Sequence, residues 1–318
     1  MHALAAPDKF RSTLTAREAA AAIAAGAARS GWTTVELPLA DGGEGTLDVL
    51  GGGNRRTTVT GPLGDPVEAE WRLEEDGTAL IEAALACGLS LAGGPRRNDP
   101  LAATSRGVGE LVTAAIGERA ARVIVAVGGV ASTDGGVGAV QAIPTPLRVP
   151  LDVACDVDAR FLAAADVFAP QKGATPEQVR ILRDRLAQLD VPDLPGAGAA
   201  GGLAGGLAAI GARLLPGFDL VAGRLGLDEH LEKADLVVTG EGRLDATSFT
   251  GKVVGRVLER AATAGAGALV IAGEVAAESP TDALSLVASY GPERAFAEPA
   301  KCLSELVENA LATRRNGP

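Results

Sequence analysis

The chain has 318 residues, about the length of two domains, and its 47% hydrophobic and 22% charged residues exclude a disordered or fibrous protein. Its 40 acidic and 29 basic residues give a net charge of -11, which argues against a nucleic-acid-binding face. Three distant cysteines and two histidines support neither a disulfide framework nor a zinc site.

Short apolar strands alternate with Ala-rich helices along the chain, which is the pattern of an α/β protein with largely parallel sheets. The predicted strands are residues 3–8, 35–40, 56–60, 67–73, 78–83, 122–127, 151–156, 235–238, 268–271 and 284–288. The predicted helices are residues 15–29, 44–50, 104–116, 134–143, 176–189, 251–263 and 300–313. The simplest arrangement joins 1–55 and 235–318 into one discontinuous Rossmann-like α/β domain, with 56–234 inserted as a second α/β domain.

No segment has the character of a secretory signal or a membrane span. The first residues lack a charged region followed by an apolar stretch. The uncharged run 194–212 is long enough to cross a membrane, but seven of its nineteen residues are glycine. We therefore expect a cytoplasmic protein that binds neither membranes nor nucleic acid.

Several predicted strands end in small, polar or acidic residues. In parallel sheets, ligands bind beyond the carboxyl ends of strands, where glycines admit anions and carboxylates can hold a divalent cation. For any single loop, an ordinary Gly-Gly or Asp-Gly turn is the plainer interpretation. Five loops in corresponding places nevertheless favour a shared site, and they are residues 6–10, 40–45, 127–136, 154–158 and 237–245.

The run 196–201 has the form G-x-G-x-x-G that is typical of dinucleotide sites. However, Pro192 and Pro195 stand where that fingerprint requires a strand, so an NAD-dependent oxidoreductase is not favoured. The run is expected to open a helix instead, either as an anion-binding turn or as a place of close helix packing.

Lysine is rare in this chain, and three of the five lysines lie in Gly/Pro-flanked loops or at a helix start: Lys9, Lys172 and Lys252. Ordinary surface lysines are the plainer alternative. Lys252 is the sharpest case, because a cation at a helix start is disfavoured unless an anion lies nearby. With no suitably placed histidine, carboxylates remain for acid–base work. The combination suggests phosphoryl transfer assisted by a divalent metal.

Ten ordered blocks of this sequence resemble the type I glycerate kinase family. They include APDKFRSTLTA (6–16), LPLADGGEGT (37–46), VGGVASTDGG (127–136), VFAPQKGAT (167–175) and LVVTGEGRLD (236–245). The resemblance implies two α/β domains with largely parallel or mixed sheets flanking an interdomain cleft. It also implies a kinase that uses ATP and Mg²⁺ to convert D-glycerate to 2-phosphoglycerate, with 3-phosphoglycerate left open as the product.

The resemblance also implies roles for individual residues. The expected catalytic residues are Asp245, Lys9, Asp41 and Asp134, with Asp245 favoured as the base and Asp41 and Asp134 left open for that role. The expected substrate-binding residues are Asp8, Arg11, Ser12, Glu44 and Glu241. ATP phosphates are expected at Gly128, Gly129, Gly135, Lys172, Gly198, Gly201 and Lys252, and the metal at Asp134 and Asp156.

The chain departs from the family pattern at several points. Val130 follows Gly129 where members usually carry serine, and Thr247 replaces a usual glutamine. A segment of several dozen residues that is common in the family is absent between Gln141 and Leu151. An alternative is therefore a catalytically impaired relative that binds a small acid or a nucleotide. A homodimer is left open.

Overall fold

The computed structural model describes residues 1–10, 13–249, 251–277, 279 and 281–315. For residue 315 it describes the backbone alone. The chain divides into two compact units, residues 1–40 with 221–318 (the terminal unit) and residues 41–220 (the inserted unit). The sequence predicts the two boundaries after residue 55 and before residue 235, and both positions come later in the chain than the boundaries of these units.

The described residues form the following helices and strands. The strands are β1 (His2–Ala5), β2 (Thr33–Glu36), β3 (Arg55–Thr60), β4 (Pro66–Leu73), β5 (Thr78–Glu82), β6 (Arg122–Ala126), β7 (Leu151–Ala154), β8 (Arg213–Leu215), β9 (Leu236–Thr239), β10 (Arg243–Leu244), β11 (Gly267–Ala272), β12 (Glu274–Val275) and β13 (Leu284–Ser285). The helices are α1 (Ala16–Arg29), α2 (Thr46–Val49), α3 (Ala84–Cys87), α4 (Arg106–Gly117), α5 (Val137–Ala142), α6 (Ala164–Phe168), α7 (Pro176–Leu186), α8 (Leu203–Ala209), α9 (Gly217–Leu225), α10 (Leu227–Leu231), α11 (Val253–Ala264), α12 (Leu286–Tyr290), α13 (Pro292–Ala297) and α14 (Pro299–Arg315).

The terminal unit is built on a parallel sheet with the strand order β13-β11-β9-β1-β2. Helices α1 and α14 pack together on it and contribute Ile23, Leu303 and Val307 to its core. The predicted first helix is confirmed, and it starts at the predicted capping box: Thr15 and Glu18 each accept the other's backbone N–H. The carboxyl ends of all these strands share one edge of the sheet.

The inserted unit contains a mixed six-stranded sheet in chain order, β3-β4-β5-β6-β7-β8. Neighbouring strands run antiparallel from β3 to β5 and parallel from β5 to β8. Its core includes Trp71, Leu111 and Val153, none of which is exposed. The predicted α/β architecture with parallel and mixed sheets is thus confirmed.

The structure differs from the predicted layout in several short elements, and two of these differences have a clear basis. Residues 284–288 form only the two-residue strand β13 before α12, because the side chain of Ser285 accepts the N–H of Ala288 and caps that helix. Strand β8 and helix α9, at 213–225, were not predicted. Within the described residues, no helix is long and apolar enough to span a membrane.

Candidate active site

The ends of β1 and β9 bring the first group of predicted site residues to one sheet edge. The backbone N–H of Asp8 donates to the carbonyl of Gly240 at 2.9 Å, so Asp8 and Lys9 lie beside the segment that carries Glu241. The N–H of Lys9 donates to the Asp8 carboxylate at 2.7 Å. The predicted residues Arg11 and Ser12 lie outside the described residues.

Asp245, Thr247 and Lys252 form a hydrogen-bonded chain ahead of α11. The Asp245 carboxylate accepts the N–H of Thr247 at 2.9 Å and its hydroxyl at 2.6 Å. The ammonium of Lys252 donates to the same hydroxyl at 3.0 Å. These bonds from Thr247, with the positive charges of Lys252 and Arg243, lower the pKa of Asp245 below its usual value. Asp245 is therefore ionised at neutral pH.

In the inserted unit, the loop that carries Asp41 and Glu44 is held by a carboxylate that sequence reasoning missed. Glu82, at the end of β5, is only 4% exposed. It accepts the N–H of Gly45 at 3.1 Å and that of Leu47 at 3.0 Å. Both N–H groups lie at the start of α2, where backbone donors have no carbonyl partner within the helix. The signal in the sequence was an acidic residue ending the otherwise apolar strand TALIE.

The loop after β6 approaches the same segment closely. A Cβ added at Gly128 would lie 2.5 Å from the Cα of Gly43, so only glycine permits this approach. Gly128 is half-buried and Gly129 is exposed, and the Glu44 side chain lies against Gly129. These two predicted phosphate-binding glycines are thus accessible beside Asp41 and Glu44.

Asp156 follows β7 and lies near Asp41. Its carboxylate accepts the N–H of Gly217 at 2.8 Å and that of Phe218 at 2.6 Å. Burial raises the pKa of Asp156 to about 7, and the negative charges of Asp41 and Asp219 act in the same direction against the two backbone hydrogen bonds. A cation at this point would relieve that repulsion.

Asp134 is placed differently from Asp156. Its carboxylate accepts the N–H and the hydroxyl of Ser105 at 2.9 and 2.8 Å, and the N–H groups of Gly136 and Gly138 at 3.1 and 3.2 Å. It therefore ties together the starts of α4 and α5. Within the described part of the chain, Asp134 accepts four hydrogen bonds from the fold and Asp156 accepts two, so Asp156 keeps more of its lone pairs for a ligand and is favoured over Asp134 as the carboxylate that faces a metal.

Lys172 and the run 196–201 lie inside the inserted unit. The Lys172 side chain is 4% exposed and donates to the carbonyl of Ser132 at 2.5 Å, and burial lowers its pKa to about 8. A Cβ at Gly201 would lie 2.3 Å from that carbonyl, and Gly135 and Gly198 are also buried. This agrees with close packing, the second interpretation of the run, rather than with an exposed anion-binding turn.

The described residues include no group of three or more His, Cys, Asp or Glu side chains that could hold a metal ion. Mg²⁺ does not need such a group, since it is commonly bound by one or two carboxylates together with the phosphates of a substrate. Asp41 and Asp156 are the pair of predicted carboxylates that the structure of the inserted unit brings together.

Comparison with known proteins identifies the family. The model of the glycerate kinase family matches residues 3–147 and 144–314. The chain belongs to the glycerate kinase family. A glycerate 2-kinase of Escherichia coli K12 is 38% identical, with 80% of each chain covered. A crystal structure assigned to glycerate kinase 2 of Salmonella typhimurium LT2 is 34% identical, with a TM-score of 0.81 over 99% of this chain and 98% of the other.

Membership of this family makes the protein a kinase. An uncharacterised protein of Mycobacterium bovis is 41% identical over an alignment that covers all of this chain and 93% of the relative. That alignment has 354 positions, 36 more than the residues of this chain, so the relative carries residues without a counterpart here. The two family matches meet at 144–147, within the region where the missing segment was predicted.

The raised pKa of Asp156 predicts a pH effect on stability. An unfolded Asp ionises near pH 4, whereas folded Asp156 ionises near 7, so between these values only the folded state holds the proton. The free energy of unfolding of the wild type should therefore fall relative to that of Asp156→Asn as the pH rises from about 4 to about 7. Urea unfolding of both proteins across this range checks it, and parallel profiles would contradict it.

The buried bonds of Glu82 predict a second effect. In Glu82→Gln, one oxygen becomes an amide NH₂, and because the N–H of Gly45 lies 3.1 Å from both oxygens, that NH₂ opposes a buried N–H donor in either orientation of the amide. We expect the free energy of unfolding to fall by about 1–3 kcal/mol. The matched control is Glu70→Gln on the exposed face of β4, which should change stability by no more than about 0.5 kcal/mol. Equal unfolding midpoints for the two variants would show that Glu82 does not hold the loop.

Proposed function

We propose that the protein transfers the γ-phosphoryl group of ATP to the 2-hydroxyl of D-glycerate and forms 2-phosphoglycerate and ADP. The observation that supports this most is the family match over both units, together with relatives named glycerate kinase and glycerate 2-kinase. The predicted site residues lie at the carboxyl ends of parallel strands in each unit, where α/β proteins bind ligands.

In the terminal unit, Asp245 is the base that accepts the proton of the substrate hydroxyl. It is ionised and held by Thr247, so its carboxylate is already oriented before the reaction. Lys252, at the start of α11, neutralises a phosphate. Lys9 and Asp8, with Arg11, Ser12 and Glu241, bind glycerate, whose carboxylate suits the planar fork of an arginine.

In the inserted unit, Asp156 and Asp41 are the carboxylates that we assign to Mg²⁺, with Glu44 beside them. The ion, when bound, would neutralise the negative charge of the phosphate groups. Gly128 and Gly129 offer accessible backbone to a phosphate. Asp134, Lys172 and the glycines packed around them support these loops from inside the unit, which revises the phosphate and metal roles expected of them.

The relatives named as kinases favour an enzyme over the alternative of a catalytically impaired binding protein. A cytoplasmic location and a homodimer remain predictions from the sequence alone.

The activity is tested by measuring ADP release from ATP in the presence of D-glycerate and Mg²⁺, with ¹³C NMR of the product. We expect ADP release that depends on both additions, and a phosphate on C2. Mn²⁺ should replace Mg²⁺, because oxygen ligands suit both ions. A phosphate on C3 would correct the position of transfer, and no glycerate-dependent ADP release would reject the proposal.

Lys252 can be tested against an ordinary surface lysine. If it neutralises a phosphate, Lys252→Ala should lose about 2–4 kcal/mol of transition-state stabilisation, or roughly 30- to 1000-fold in kcat/KM for ATP. The control is Lys301→Ala on the exposed face of α14, which pairs only with Glu298 among the described residues and should keep wild-type activity. Melting temperatures confirm that both variants fold. Near wild-type kcat/KM for Lys252→Ala would remove this residue from the site.

A further inference from the structure

A cavity of about 250 Å³ opens in the terminal unit, at the carboxyl edge of its parallel sheet. Its walls come from segments that directly follow four strands: the loop after β1, the segment between β9 and β10, the residue after β11, and the start of α12 after β13. Helix α13 closes one side. Among the described residues, none of those assigned above to glycerate, phosphate or metal lines it.

The cavity is lined mainly by apolar residues, and two of these are aromatic. Phe10 is buried on one side, while Phe296 on α13 is 59% exposed at the rim. Aromatic residues are only 3% of this chain, so a largely exposed phenylalanine at a cavity is unusual here. Leu286 and Val287 supply a further apolar wall. An exposed ring beside a cavity of this kind is a surface on which a flat heterocycle can stack.

Two polar side chains complete the rim. Arg243 and Glu274 form an ion pair at 4.0 Å across β10 and β12, and both side chains are about half exposed. Gly242 and Gly273 lie beneath them, where a Cβ at Gly273 would be 2.4 Å from the carbonyl of Gly242. A carboxylate and a guanidinium at the rim can accept from an amino group or a ribose hydroxyl and donate to a ring nitrogen.

The cavity adjoins the residues proposed to bind glycerate and phosphate. Phe10 directly follows Lys9 in the chain. On the other side, the charge of Arg243 acts on Asp245 together with that of Lys252, so the cavity rim and the Asp245–Lys252 segment are electrostatic neighbours. A nucleotide whose base occupied the cavity would extend its phosphates along the sheet edge that carries Lys9 and Lys252.

We propose that this cavity binds the purine base of the nucleotide, with Phe296 as the stacking surface and Glu274 and Arg243 as its polar partners. The proposal rests on the proposed function in that ATP is the phosphoryl donor. It adds the place where the base is recognised and a residue that determines affinity for the nucleotide but not for glycerate.

The first test is Phe296→Ala. Loss of a base–aromatic stack should raise KM for ATP by about tenfold, with kcat and KM for glycerate within about twofold of wild type. The matched control is Leu162→Ala, which also removes an exposed apolar side chain, but from the inserted unit. It should change none of the three constants. An active Phe296→Ala enzyme with an unchanged KM for ATP would overturn the proposal and leave the kinase function standing.

A second test needs no turnover. The two natural tryptophans, Trp32 and Trp71, are buried, so Phe296→Trp places an exposed tryptophan at the cavity. Its fluorescence should be quenched by ADP but not by tripolyphosphate, and the wild type should show neither change. Quenching by ADP in a protein without glycerate-dependent turnover would support the cavity and reject the kinase function. Equal responses to ADP and tripolyphosphate, or no response to ADP, would overturn the assignment of the cavity to the base.

Discussion

The carboxylate of Glu82 decides where the loop of Asp41 and Glu44 lies. A carboxylate is costly to bury unless hydrogen bonds replace its water, and here the N–H groups at the start of α2 do so. The same bonds restrict the loop, because moving it would break the hydrogen bonds between the Glu82 carboxylate and these backbone N–H groups. Close approach of Gly43 to Gly128 then adds the end of β6 to this arrangement. Asp41 and Glu44 are thus placed by residues that perform no chemistry themselves.

Other charged side chains of the inserted unit also serve the fold. Asp152 is fully buried and pairs with Arg122 and Arg213 across three neighbouring strands, and Asp134 joins the starts of two helices. Lys172 donates to a backbone carbonyl in the core. What separates these residues from Asp245 is the source of their partners. The Asp245 carboxylate accepts both of its hydrogen bonds in the described residues from the neighbouring Thr247, and Asp245 is half-buried, so this carboxylate can still bind a ligand.

These partners explain which parts of the molecule the sequence could predict. Helix α1 and its capping box were predictable because their donors and acceptors lie within three residues of one another. The roles of Asp134 and Lys172 were not, because Ser105, which donates two of the bonds to Asp134, and Ser132, which accepts from Lys172, are 29 and 40 residues away from them in the chain. Strand β8 was missed for the same reason: it has three residues, and only its pairing with β7 makes it a strand. Local patterns thus indicated the elements and the loops, whereas nonlocal pairing decided which polar residues are exposed.

The connection between α5 and β7, where the sequence predicts a missing segment, lies at the edge of the inserted sheet that carries none of the candidate residues. Helix α5 ends at Ala142 and β7 begins at Leu151, so the connection enters β7 at its amino end. Asp156 and Gly128 follow the carboxyl ends of β7 and β6, which run parallel. Four residues of strand separate the two edges by about 13 Å. Relatives with a longer connection therefore differ from this chain away from the predicted site. No candidate residue lies in the connection between α5 and β7, so the proposed phosphoryl transfer does not depend on its length.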